Sequence, residues 1–163
     1  MTPQSAQTAA GKIPSSAQWL GYAGLIPQIF LAAVVIGGPV KFGPPAIGLA
    51  LTYSALILSF IGGAWWGLAA NQKLRTPLWI WLAAIGPSLI AFAAIGTLAI
   101  GNLSEPSLLV TGASLIAALG VDYKLALNGW CPPGWLRLRT PLSLGLGGLT
   151  ILIAILPQRA LVG

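Results

Sequence analysis

Apolar residues occur along this chain in five long runs, separated by short stretches rich in Pro, Gly and polar residues. The runs cover about residues 17–36, 46–70, 78–100, 107–127 and 140–156. Each approaches the roughly 20 residues that a helix needs to cross the hydrocarbon core of a bilayer. Because lipid cannot hydrogen-bond to the backbone, and because no run alternates in polarity as a barrel strand does, each run is predicted to be a transmembrane helix.

The predicted fold is therefore all-α, a polytopic membrane protein with a bundle of five transmembrane helices. A flexible polar tail is expected over residues 1–16 and the five-helix domain over 17–163, with Ser15 and Ser16 after Pro14 as the helix start. A cleaved signal peptide is the alternative for the first run. The apolar stretch from Trp19 to Ile36 is longer than the usual 7–15 residues, which favours a retained span.

The amino-acid composition excludes a soluble globular protein and most types of catalytic site. The chain has 163 residues, 56% of them hydrophobic and 6% charged, against roughly 25% charged in soluble domains. It has no His, one Cys (Cys131) and two acids (Glu105 and Asp122). A His/Cys zinc site, a Ser-His-Asp triad and a carboxylate pair are thereby excluded. We expect no catalytic residue, no metal and no cofactor, since the lone Cys131-Pro132 dipeptide is too weak a signal for haem.

The net charge of +6 indicates topology rather than nucleic-acid binding, because the cations are scattered at the ends of apolar runs. One side of the membrane receives six of the eight: Lys12, Lys73, Arg75, Lys124, Arg137 and Arg139. The other side receives Lys41 and Arg159. The positive-inside rule then predicts a cytoplasmic N-terminus. Six tryptophans lie towards span ends on the same side, as an interfacial belt does: Trp19, Trp66, Trp79, Trp81, Trp130 and Trp135.

The second run carries a small residue at every fourth position, namely Ala55, Ser59, Gly63 and Gly67. These lie on one helix face and allow another backbone to approach closely, which is how helices associate within lipid. The face serves either packing inside the five-helix bundle or association with a partner subunit.

Two prolines interrupt predicted spans, each beside a polar residue: Pro27 with Gln28, and Pro87 with Ser88. Each proline removes a helical hydrogen bond, and the neighbouring polar side chain is a candidate to repair the kink. Broken helices with polar groups at depth can also line a transporter's substrate site.

Asp122 is the acid placed at the end of the fourth run, at the predicted cytoplasmic edge. A charge there requires a partner, and a guanidinium suits a carboxylate. The predicted ion pair joins Asp122 to Arg137 or Arg139, with Lys73 and Arg75 as further candidates on that side. A functional proton or ligand site is the alternative.

Three stretches resemble one family of small membrane proteins: 53–69 (YSALILSFIGGAWWGLA), Val121-Asp122-Tyr123 and 133–139 (PGWLRLR). The family is domain of unknown function 3429, related to transmembrane protein 69 of mitochondria, and residues 20–27 (LGYAGLIP) are similar to its first span. The resemblance covers roughly residues 19–156. It implies the fold and no established activity. A titratable residue often occupies the family position of Trp65, so chemistry tied to that position is not expected here.

We therefore expect an integral inner-membrane protein that is not an enzyme and serves as an accessory or assembly partner of a membrane complex. The alternative is a small transporter or channel for a neutral or weakly polar solute. The expected partners are the bilayer and either another membrane protein or a second copy of the chain. A bacterial inner membrane is expected, with the mitochondrial inner membrane as the alternative. A pocket at Gln28 would favour transport, and an exposed face with Ser59, Gly63 and Gly67 would favour a partner.

Overall fold

The computed structural model describes residues 13–72, 76–101 and 104–156. Over these ranges the secondary structure is helical, without strands, as predicted. The helices are α1 (Ser15–Ala23), α2 (Ile26–Gly37), α3 (Gly43–Ala70), α4 (Leu78–Ile100), α5 (Ser104–Leu127) and α6 (Trp135–Ile155), with a 3₁₀ turn at Val40–Phe42.

Five helical segments are long and apolar enough to cross a membrane, which confirms the predicted number of spans. The first consists of α1 and α2 together, and the other four are α3 to α6. Prediction and structure agree on α4, whereas α3, α5 and α6 each begin three to five residues earlier than predicted. α1 begins at Ser15, within the last two residues of the predicted tail, and residues 1–12 of that tail lie outside the described residues.

The first span is interrupted between α1 and α2 by a turn at Gly24 and Leu25, although both residues keep right-handed helical dihedral angles. Pro27 lies in the first turn of α2, where its missing N–H costs nothing. The carbonyl of Gly24, at the break, accepts a hydrogen bond from the Tyr53 hydroxyl of α3. Tyr53 therefore repairs the interruption, and the predicted repair by Gln28 does not occur.

Two helical hairpins, α3–α4 and α5–α6, make the most extensive contacts in the bundle. Glycines set both crossings. A Cβ on Gly62 would clash with the backbone of Ala84 in α4. A Cβ on Gly112 would lie 2.9 Å from the carbonyl oxygen of Gly147, and a Cβ on Gly147 would lie 2.8 Å from that of Gly112. Close backbone approach supplies the van der Waals contact that holds helices together in lipid.

The helix surfaces around this core are apolar, as a lipid-facing surface must be. Phe92 of α4 is 78% exposed and Phe60 of α3 is 72% exposed. α1 contributes no buried residue, whereas α3 contributes eleven. The core thus lies among α2 to α6, with Ala32 of α2 buried in it, and α1 covers only one flank.

Candidate functional site

A buried polar cluster surrounds Asp122, which is 0% exposed near the end of α5. The indole N–H of Trp65 donates to Asp122 Oδ1 over 2.8 Å, and that of Trp135 donates to the same oxygen over 2.9 Å. Nε of Arg139 donates to Oδ2 over 3.0 Å. The cluster therefore joins three helices, α3, α5 and α6, at one end of the bundle.

The turn between α5 and α6 brings two of these groups to the carboxylate. Gly134 has a φ of +87°, which favours glycine, and immediately precedes the first residue of α6. Trp135 and Arg139 are four residues apart in the sequence. Because α6 already begins at Trp135, both residues are helical and their side chains lie on the same helix face. Both then meet Asp122.

The structure selects one arginine from the predicted pair. Arg139 pairs with Asp122, whereas Arg137, two residues earlier on α6, is exposed. Lys73 and Arg75, the other candidates, lie outside the described residues. Asp122 is also deeper than predicted: it is sealed inside the bundle instead of lying at a half-wet membrane edge.

Each oxygen of this carboxylate is already occupied by at least one donor, and its charge is offset by an arginine. Removing one partner of such a buried pair leaves the other charge buried without a counter-charge, which lowers the free energy of unfolding by about 3–5 kcal/mol. The geometry therefore supports a tether that fixes the end of α5 to α3 and α6.

Cys131 lies half-buried in the turn next to this cluster. Burial, together with the negative charge of Asp122, raises the pKa of the Cys131 thiol to about 11. The thiol thus stays protonated at neutral pH, and nucleophilic chemistry needs the thiolate.

The predicted polar residue beside the first proline, Gln28, is buried between helices. Gln28 is 0% exposed, and its Nε2 donates to Thr150 Oγ1 of α6 over 3.0 Å. Its Oε1 has no hydrogen-bond partner among the described residues. Gln28 therefore links α2 to α6.

The second proline also differs from its prediction, because α4 runs through Pro87 without interruption. Ser88 does not repair the α4 backbone; its hydroxyl lies 3.0 Å from that of Ser59 in α3, within hydrogen-bond distance. Pro87 itself packs towards Gly62, at the closest approach of α3 and α4. Pro87 and Ser88 thus contribute to the contact between α3 and α4, and they do not form a common site with Gln28.

The small-residue face of α3 is divided between the core and the outside. Ala55 is buried and Ser59 is half-buried. Gly63 and Gly67 are exposed, and a Cβ on either would meet nothing within 4 Å. Gly63 and Gly67 therefore make no close contact inside the bundle, and the close approach to α4 is made by Gly62, one residue earlier.

A cavity of about 590 Å³ lies between α1, α3 and α6, and Leu115 of α5 forms part of its wall. Its walls are mostly apolar, and Arg139 and Ser143 of α6 are also among the lining residues. Gln28 is not among its lining residues.

The sequence predicted neither the hydrogen bond from Trp65 to Asp122 nor the packing contacts of Tyr53 and Gly62. Each of these residues is an ordinary member of an apolar run, and its role depends on which way α3 is turned. For Trp65, the available signal is the polar indole N–H of a large side chain within an apolar run, since such a group usually finds a hydrogen-bond partner when it is buried.

Comparison with known proteins agrees with this architecture. The family model described as "Protein of unknown function (DUF3429)" matches residues 13–156. Transmembrane protein 69 of Xenopus tropicalis is 34% identical over 91% of this chain and 59% of its own length. The chain thus spans about three fifths of that relative. No solved structure matches the chain. With its family model covering the helical region from the start of α1 to the end of α6, this chain belongs to the DUF3429 family of membrane proteins.

Proposed function

We propose that this protein is a non-catalytic accessory subunit that binds another membrane protein through the outward face of α3 around Gly63 and Gly67. The open surface at these two glycines is the observation that carries the proposal. Glycine leaves a shallow groove between larger neighbours, and such grooves let a second helix approach closely in lipid. Exposed Leu56, two turns before Gly63, extends the same face.

The Asp122 cluster supports the non-catalytic part of the proposal. Its carboxylate oxygens are engaged by Trp65, Trp135 and Arg139, and the side chain has no exposed surface. A general acid or base must come within hydrogen-bond reach of a reacting proton. A sealed carboxylate that holds three helices together instead suits a rigid platform for a partner.

The transporter alternative receives less support. It required the two kinks to meet at a polar cavity, but Gln28 bonds to Thr150 and Ser88 lies against Ser59. The cavity described above, between α1, α3 and α6, is lined by neither Gln28 nor Ser88.

The double substitution Gly63→Leu with Gly67→Leu is expected to abolish association with the partner while leaving the fold intact. Both side chains would project outward, so the thermal midpoint in detergent should stay within about 2–3 °C of wild type. Pull-down of the full chain from mild detergent, followed by mass spectrometry of co-purifying subunits, measures the effect.

The matched control is Gly48→Leu, which places the same side chain at another open position of α3. It should retain the partner. Recovery of an unchanged set of subunits with the double variant, or of nothing but a second copy of the chain with wild type, would rule out the proposed role.

We also propose that the N-terminus faces the cytoplasm, on the basis of the six-to-two distribution of cations. A reporter fused after Gly163 should then be active only outside, and one inserted near Thr76 only inside. Alkaline phosphatase and fluorescent-protein fusions measure the two cases. The opposite pair of results would reverse the orientation.

A further inference from the structure

We propose that the cavity between α1, α3 and α6 is a binding site for an uncharged, single-tailed amphiphile with a carbonyl headgroup, a class that includes tailed quinones. The body of the molecule would lie against the apolar walls. Its carbonyl would accept hydrogen bonds from Arg139 and Ser143. This site is separate from the outward face around Gly63 and Gly67.

Size and wall chemistry indicate a ligand with a long apolar part. The volume of about 590 Å³ falls within the roughly 300–1,000 Å³ of small-molecule pockets. Its walls include Ile57 and Ala64 of α3, and Leu138, Leu142 and Leu146 of α6. The opposite wall is α1, which buries none of its own residues. Leu20 of α1 lines the cavity and is nevertheless 75% exposed, so tight side-chain packing does not fill this space.

Two of the residues that line the cavity, Arg139 and Ser143, each carry a buried hydrogen-bonding atom without a partner among the described residues, and these two atoms suggest the headgroup. Ser143 is 2% exposed, and its hydroxyl has no partner among the described residues. Nη2 of Arg139 is likewise buried and unpartnered in the described part of the chain, although Nε of the same side chain bonds to Asp122. A buried polar group without a partner costs about 1–3 kcal/mol, so two in one place require an explanation. They lie four residues apart on α6 and hence on one face.

Charge balance distinguishes a carbonyl from an anion. The positive charge of Arg139 is already offset by Asp122, at 3.0 Å. An anionic headgroup would therefore bury a net negative charge in a low-dielectric site, which is costly. A neutral carbonyl oxygen would accept from both donors without changing the charge. The headgroup is consequently expected to be uncharged.

Binding can be measured on the full chain in detergent with three probes of similar tail length: a decyl-substituted benzoquinone, decanoate and dodecane. Native mass spectrometry and thermal stabilisation report the binding. The quinone should bind as a one-to-one complex and raise the midpoint of unfolding, because only it offers both a neutral acceptor and a tail. Equal binding of dodecane would show that the cavity holds ordinary acyl chains, and tighter binding of decanoate would show an anion site. Either result would overturn the proposal.

Two substitutions locate the quinone within the cavity. Ser143→Ala removes one donor and should weaken binding about 2–10-fold. Ala64→Phe should fill the space and remove measurable binding. The controls are Ser54→Ala, which deletes a buried hydroxyl bonded to Leu51, and Ala93→Phe on the exposed face of α4. Unchanged binding in Ser143→Ala would contradict the assignment even if Ala64→Phe failed to fold.

Discussion

Replacing Asp122 by Asn is expected to lower the free energy of unfolding by about 3–5 kcal/mol, the range for breaking a buried ion pair. Asn can still accept from one indole, but it leaves the guanidinium of Arg139 buried without a negative charge. The ends of α5 and α6 would lose the contact that fixes them to α3. Unfolding of purified protein in mixed micelles, followed by tryptophan fluorescence, measures the change.

Arg137→Gln is the matched control, since it removes the same charge two residues away on an exposed side of α6. It should change stability by no more than about 0.5 kcal/mol. Arg139→Gln should be as damaging as Asp122→Asn, and the double variant should lose less than the sum, because the two residues are coupled. If the Asp122→Asn variant is as stable as wild type but no longer supports the protein's function in cells, the carboxylate is a functional group and the tether is refuted.

Gly147→Leu is expected to destabilise the bundle by an amount at the upper end of the about 1–3 kcal/mol typical of overpacking. A Cβ at this position would lie 2.7 Å from Ile116 Cγ1 and 2.8 Å from the carbonyl oxygen of Gly112. One of these atoms belongs to the backbone, which cannot turn away as a flexible side chain can. The two helices would have to separate, with loss of the contact that holds the α5–α6 hairpin.

Gly148→Leu is the corresponding control, because a Cβ there meets nothing within 4 Å. The pair differs by one residue on the same helix, so helix propensity and added hydrophobicity cancel. Thermal unfolding in detergent should show a clear drop for position 147 and none for position 148. Equal effects at both positions would mean that α5 and α6 do not cross at these glycines.

Hydropathy alone predicts the five spans, because only long apolar helices satisfy their backbone in lipid. The helix starts were harder to predict. Pro44 and Pro106 lie within the first turns of α3 and α5, where the backbone N–H groups have no helical partner and proline is tolerated. Pro141 lies further inside α6, so the turn at Gly134 decides where that helix begins. Such details depend on tertiary packing, which a hydropathy profile does not contain.

The site was predictable as far as charge governs it. A lone carboxylate near a span end requires a cation, which selects Asp122 and the arginines of the following segment. The choice of Arg139 over Arg137 depends on the phase of α6, which places residues 135 and 139 on one face and 137 on another.

The packing glycine shows the same limit of sequence reasoning. Gly62 and Gly63 differ by about 100° around α3, and the one that faces inward cannot be identified by hydropathy. In a membrane protein, the interior and the lipid-facing surface are both apolar.

Association at the outward face of α3 can be measured directly in intact membranes. The photo-crosslinking residue benzoylphenylalanine is introduced at one of two exposed positions. Replacement of Leu56 places it on the helix face of Gly63, and replacement of Phe92 places it on the lipid-facing side of α4 as the control. We expect one discrete protein adduct from position 56, none from position 92, and loss of the adduct when Gly63→Leu and Gly67→Leu are added. Lipid adducts alone at position 56, or a protein adduct that persists in the double-leucine background, would contradict this expectation.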